Sequence, residues 1–286
     1  MSDTSASKQF HVTLTDDTQS ALDLLAAESG LSKQQIKQAM NKGAVWRSEG
    51  KQAYRMRRAA KNIKAGNTVH LYYDEKVLGE VPPEAQLVAD EGAYSVWYKP
   101  FGMRSQGSKW GDHCALYRWV EVNLKPERPA FLVHRLDRAA TGLILVAHQK
   151  KAASALTKLF EERQIDKRYQ VIVAGQFSVE TGVWAKKQSF TTDVDGKAAI
   201  SHARGMSYDA EKDRSLLEVT IETGRKHQIR CHLADAGFPV IGDRLYGNAT
   251  DGDQDLQLAA SSLSFVCPIS NDERYYQLPD GLLLTL

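Results

Sequence analysis

The stretch "VHRLDRAATGLILVA" (133–147) decides how this chain folds. Most of it is an apolar run, the pattern of a strand buried in a sheet. Near its start it carries Arg135, Asp137 and Arg138 within four positions. Ionisable groups against a core strand are tolerated where something pairs them or uses them. Taken alone the stretch fits an exposed turn between strands as well as a functional turn, and the blocks around it decide.

Downstream, "KKAASALTKLFEERQI" sets Ala152, Ala155, Leu156, Leu159 and Phe160 at helical spacing. "KRYQVIVAG" predicts a strand from Tyr169, and "LLEVTIETG" alternates Leu217, Val219 and Ile221 against Glu218, Thr220 and Glu222. "HQIRCHLADAG" reads as a short helix ended by Gly237. Upstream, "AYSVWYKPFGM" is a strand running into a turn, and residues 104–128 form a poorly patterned loop. Strands and helices alternate without a strict rhythm. This predicts an α+β domain over 87–286, built on one curved, mixed but mainly antiparallel sheet with flanking helices and loops.

The N-terminal part is different. Residues 1–14 are polar and expected as a disordered tail. A small α/β domain follows over 15–75. Its first helix, capped by Asp17 or Thr18, ends at Gly30; the second, capped by Ser32, carries Ile36, Ala39 and Met40 on one face. "AVWRSEGKQAYRM" predicts a hairpin, and "GNTVHLYY" a strand with Val69 and Leu71 on one side. Residues 76–86, with paired prolines, are expected as a linker.

Formal net charge is +2, yet between Ser32 and Lys64 ten Lys or Arg face a single acid, Glu49. A basic segment on a mildly acidic body points to an anionic partner, nucleic acid first. Hydrophobic content of 42% and charged content of 25% fit an ordinary soluble protein. No apolar stretch approaches the roughly 20 residues of a membrane span, so no membrane partner is expected. The opening "MSDTSASKQF" has no apolar core after a basic start, so no secretory signal is expected. The three cysteines, far apart and odd in number, argue for a reducing cytoplasm. There is no paired-cysteine zinc pattern, no H-E-x-x-H and no glycine-rich phosphate loop. Chemistry without metal or cofactor is expected.

Three polar clusters stand at the ends of apolar strands: "HRLD" (134–137), "KRY" (167–169) and "TGRKHQIR" (223–230). In the last, Arg225, Lys226, His227 and Arg230 crowd a helix start, where positive charge opposes the helix dipole by roughly a few tenths of a kcal/mol. An anion is expected there, supplied by Asp137 together with phosphates.

With "YKPFGM" (98–103), "LFEERQIDKRYQVIVAG" (159–175), "ETGRKHQIRCHLADAGFPVIGDRLYG" (222–247) and "QLAASSLSFVCP" (257–268), these clusters make residues 87–286 resemble the RluA-type pseudouridine synthase family. "LDLLAAESGLSKQQIKQAMNKGAV" and "IKAGNTVHLY" resemble an alpha-L RNA-binding domain, with "WRSEG" departing from its usual pattern. The resemblance implies isomerisation of uridine within structured RNA, without a cofactor. Asp137 would be the essential carboxylate, as nucleophile or as base. Arg230 would pair with it, and Tyr169 would stack on the flipped uracil and help remove a proton. Arg135 would fill the gap left by the flipped nucleotide. Arg138, Arg225 and Lys226 would contact the RNA backbone, and Lys33, Lys37, Lys42 and Arg47 would supply the basic surface of the smaller domain. His134 and His227 are expected to satisfy local hydrogen bonds.

The family usually follows its aspartate with an acidic residue, Thr and Ser. Here "RAATG" (138–142) removes side chains that would brace the turn, and Ala259 and Cys267 stand where histidines are usual. Ribosomal RNA is the expected target, transfer RNA the alternative, and the protein is expected to be a monomer. The rival readings are a non-catalytic RNA-binding or ribosome-assembly factor, against which the retained Asp137, Tyr169 and Arg230 argue, and a hydrolase with Asp137 as nucleophile.

Overall fold

A computed structural model describes residues 7–59, 63–177, 187–248 and 253–286. The chain divides into two compact units, residues 1–82 with 106–119, and residues 83–105 with 120–286. The expected domain over 87–286 is thus interrupted, because its unpatterned loop clusters with the smaller unit.

In the smaller unit, β1 (Lys8–Thr13) precedes α1 (Ala21–Ser29), α2 (Lys33–Asn41), β2 (Val45–Glu49), β3 (Gln52–Arg55), β4 (Thr68–Tyr73) and α3 (Glu75–Gly79). The strands form one sheet in the order β1-β4-β2-β3. Leu25, Ile36, Met40, Val69 and Leu71 are fully buried between it and the helices. Three expectations change. Residues 8–13, placed in the disordered tail, form an edge strand that pairs along β4 from Lys8↔Tyr73 to Thr13↔Thr68; residues 1–6 lie outside the described residues. Ser20, rather than Asp17 or Thr18, caps α1 by accepting from Asp23 N, while Asp17 accepts from Ala65 N. The start of the expected linker is helical, because α3, capped by Asp74, runs on to Gly79. Ser32 does cap α2, through a reciprocal capping box with Gln35.

In the larger unit, β5 (Gln86–Asp90) and β6 (Tyr94–Lys99) come first. α4 (Leu116–Asn123) begins in the first unit and ends in this one. There follow β7 (Phe131–Leu132), β8 (Thr141–Ala147), α5 (Lys150–Glu161), β9 (Asp166–Ala174), β10 (Gln188–Phe190), β11 (Ser201–Asp209), β12 (Arg214–Ile221), α6 (Gln228–Asp235), β13 (Leu258–Val266) and β14 (Glu273–Gln277). β9 thus starts three residues before Tyr169. Among the described residues ten strands form one sheet, with the path β10-β11-β12-β9-β13-β8-β6-β5 and with β14 beside β13 and β7 beside β8. Every pairing is antiparallel except β13 with β8. α5 sends Ala152 and Leu156 into one core with Val96, Leu143 and Leu145. α6 sends Ile229 and Leu233 into another with Val171, Leu217 and Val219. Each fully buried leucine contributes about 1.5–3 kcal/mol.

The parallel junction explains one letter of the opening motif. Gly142 sits at φ 111°, and a Cβ there would lie 2.3 Å from Ala260 N. β8 and β13 can approach only because this position has no side chain.

Candidate active site

Backbone register brings the separate motifs together. Val219, Tyr169, Ala260, Gly142 and Lys99 are consecutive cross-strand partners on β12, β9, β13, β8 and β6. The Asp137 turn enters β8 beside this row, and the loop to α6 leaves β12 two residues beyond it. A cavity of about 850 Å³ lies here, lined by Asp137, Arg135, Tyr169, Arg225, Lys226 and Arg230, and also by Phe160 and Lys167.

Arg230 is buried on α6, and a buried cation needs a partner. That partner is Asp243, which accepts from Arg230 Nε and Nη2 at 2.6 Å each. Burial alone would raise the Asp243 carboxyl. The guanidinium, with the Leu245 and Tyr246 amides, instead brings it below the usual carboxylate range. The remaining edge of the guanidinium faces Asp137, with Nη1 3.7 Å from Oδ2. His227 Nε2 also stands 3.7 Å from Oδ2. Both distances exceed a hydrogen bond, so Asp137 feels the positive field without having its lone pairs occupied by either group. The expected counter-charge for the basic helix start is therefore corrected: Asp243 neutralises Arg230, and Asp137 is its second, looser neighbour.

His227 occupies a left-handed backbone conformation (φ 57°) at the start of α6, and its Nδ1 lies 3.1 Å from the Tyr246 hydroxyl. Burial lowers its pKa, against the pull of Asp137. His134 accepts from Leu145 N at 2.9 Å and stacks on Phe160. Burial takes it down to about 3, with Lys167 adding to the fall. It is a neutral structural acceptor, as the sequence led us to expect. The Tyr169 phenol is raised by burial and then by the Asp137 charge, so it keeps its proton.

The brace missing from "RAATG" is supplied from across the turn. Ser105 Oγ donates to Leu136 O at 2.7 Å and accepts from Leu136 N at 3.1 Å, holding the residue before Asp137 by both backbone groups. Lys99 Nζ donates to Pro100 O, Met103 O and Arg138 O. Burial takes this amine down to about 7, opposed by the Asp137 charge. Arg138 Nε donates to Gly102 O, while Gly102 N donates to Arg138 O.

Ser105, Lys99 and Asp243 carried no role in the sequence reading. Signals existed for two of them. Lys99 ends an apolar strand, and Asp243 directly follows the apolar "PVIG" run (239–242). Ser105 gave none. Of the residues expected to bind RNA, Arg135 and Lys226 are exposed on the cavity rim, and Arg225 donates from Nε to Ala198 O. Arg138 is not among the cavity-lining residues. In the smaller unit Lys33 pairs with Asp23 at 2.6 Å and Arg47 with Glu49 at 2.9 Å. Lys42 donates to Leu78 O, and Lys37 is exposed.

A carboxylate left open beside a neutralised guanidinium, in a basic-rimmed cavity walled by a phenol, is the equipment of an enzyme acting on a nucleic-acid substrate. The match to known sequences makes this specific. Residues 93–235 match the RNA pseudouridylate synthase family, and the chain belongs to it. It is therefore an isomerase of uridine in RNA. It is 28% identical over 242 residues to an uncharacterized RNA pseudouridine synthase of Aquifex aeolicus, spanning 78% of this chain and 75% of that protein. It is 32% identical over 160 residues, half of each chain, to ribosomal large subunit pseudouridine synthase D of Zymomonas mobilis. The solved structure of human RNA Pseudouridylate Synthase Domain Containing 1 shares the fold, with TM-score 0.57 at 21% identity over 71% of this chain and 88% of that one.

Proposed function

We propose that this chain converts a specific uridine of ribosomal RNA to pseudouridine, with Asp137 as the essential group and the target nucleotide flipped into the cavity. The observation that supports this best is the open Asp137 carboxylate, 3.7 Å from an Arg230 whose charge Asp243 already balances. The reaction breaks the bond from C1′ to N1, turns the uracil and joins C1′ to C5. The proton lost from C5 is balanced by one gained at N1, so nothing enters or leaves overall. Asp137 acts at the sugar or the ring as nucleophile or base. Tyr169, kept protonated, serves as the stacking wall. Arg135, exposed two residues before Asp137, fills the vacated stack, and the basic rim holds phosphates. The smaller unit serves as an alpha-L-type RNA-binding domain whose basic α2 face raises local substrate concentration. The enzyme works as a cytoplasmic monomer without a cofactor.

Ribosomal RNA is favoured over transfer RNA by the similarity to a relative named for the large ribosomal subunit. The test is tritium release from RNA labelled at uridine C5, with purified ribosomal and transfer RNA from cells lacking the gene as separate substrates. Release from ribosomal RNA, and a missing pseudouridine at the same site in those cells, is the expected result. Release from transfer RNA alone overturns the assignment of target. RNA binding without release from either substrate would instead identify a binding factor.

A further inference from the structure

The sheet of the smaller unit has a second face. Val45, Val69 and Leu71 turn towards the helices and are fully buried. The alternate positions turn the other way, and among the described strands none of these holds a carboxylate or a branched aliphatic side chain. They present rings instead: His11, His70, Tyr72 and Trp46. The turn bridged by Ser108↔Gly111 adds Lys109 and Trp110.

These rings touch in series. His11 and His70 meet edge to face at 4.9 Å, with their Nδ1 atoms 2.8 Å apart. His70 lies nearly parallel to Tyr72 (17°, 6.3 Å), and Tyr72 meets Trp110 at 5.6 Å. Lys109 Nζ is 4.8 Å from the Tyr72 ring centre and 5.1 Å from that of Trp110. Trp46 is fixed from both sides: its Nε1 donates to Lys109 O, and the Arg55 guanidinium lies 4.2 Å from its ring centre. The carboxylate of this network, Asp112, is buried and engaged by Arg55, Arg57 and Tyr117, so it projects no free negative charge onto the face.

An apolar protein partner calls for aliphatic side chains. Among the described strands this face carries no branched aliphatic side chain; its one aliphatic position is the small Ala53, beside Ser48. Ring faces held in a row, a lysine beside them and no carboxylate match the chemistry of unpaired bases and their phosphates. We propose that this face binds an unpaired segment of RNA, with bases stacked on Tyr72, Trp110 and the histidine pair and with Lys109 on a phosphate. It is separate from the basic surface of α2, because α2 packs on the opposite face of the sheet. The proposal shares with the proposed function only the identity of the ligand as RNA.

The experiment is fluorescence anisotropy of the full chain with a short labelled oligouridine and with an RNA duplex of the same length. Tyr72→Ala, Trp110→Ala and His11→Ala are each expected to weaken oligouridine binding about ten-fold, leaving duplex binding within about two-fold. Tyr72→Phe keeps the ring and is expected to bind as wild type. Circular dichroism and melting check each fold, and His11→Ala, on an exposed edge-strand position, decides if Tyr72→Ala does not fold. A paired Lys33→Ala/Lys37→Ala variant tests α2 separately. Loss in that variant with none in the ring variants sinks this face and leaves the α2 reading standing. Loss in the ring variants alone does the reverse. Equal loss on oligouridine and duplex, or a Tyr72→Phe as weak as Tyr72→Ala, also overturns the stacking face.

Discussion

A buried aspartate organises arginines in each of the two units, and the two clusters differ in the charge left over. In the smaller unit Asp112 faces both Arg55 and Arg57 and accepts from Tyr117, so two guanidiniums meet one carboxylate. In the larger unit Asp243 holds Arg230, whose free edge faces Asp137, so one guanidinium meets two carboxylates. The first surplus is positive and lies beside a surface of rings and lysine, where it suits phosphate. The second is negative and lies in a cavity, where the open carboxylate is available as nucleophile or base. In the function proposed above, the same pairing chemistry would serve recruitment in one unit and reaction in the other.

The sharpest way to break this comparison is to delete each aspartate. Asp243→Ala leaves the buried Arg230 charge without its main partner and is expected to cost about 3–5 kcal/mol in urea denaturation, with loss of tritium release. Asp112→Ala leaves two partly exposed arginines and is expected to cost about 1–3 kcal/mol. It should raise KM for RNA with little change in kcat. Equal loss of kcat in both variants would show that the clusters are not specialised.

Lys99 gives the pH test. An unfolded lysine titrates near pH 10.4, and the folded amine near 7. Below about pH 7 both states are protonated and the cost of burial is fully present. Between about 7 and 10 the unfolded chain binds more protons, so this group makes stability rise with pH, on the order of several kcal/mol in total. Lys99→Met is expected to flatten that rise in chemical denaturation curves; an unchanged slope contradicts it.

Smaller effects sharpen the picture. Ser105→Ala removes both side-chain bonds to Leu136 and is expected to cost about 1–3 kcal/mol. It should lower kcat without changing KM, because the Asp137 turn loosens while the RNA surface stays. Lys33→Ala breaks an exposed pair as short as the Arg230–Asp243 contacts, yet it is expected to change stability by less than about 1 kcal/mol. A larger change in melting temperature than that of Ser105→Ala would reverse the order.

The clusters that hold Asp137, Tyr169 and Arg230 were legible in the sequence because each stands at or near the end of an apolar element; the three residues were singled out within them by the family resemblance, and all three line one cavity. Asp243 and Ser105 were not legible as partners. Asp243 works through a pair 13 residues away and Ser105 through one 31 residues away, and local pattern carries neither distance. The 106–119 segment shows no period because long-range contacts hold it, among them Asp112 N to Lys42 O and Asp112 to Arg57. β1 escaped for another reason. Its Phe10 and Val12 alternate as a strand should, but only two apolar residues in a polar opening give too short a signal.

The most direct test of the central claim is single-turnover tritium release by Asp137→Asn at saturating RNA, with RNA affinity measured in parallel. The variant keeps the shape of the side chain and removes its charge. Affinity within a few-fold of wild type and release at background is the predicted result. Release at the wild-type rate would contradict it, and the carboxylate beside Arg230 would then not be the reacting group.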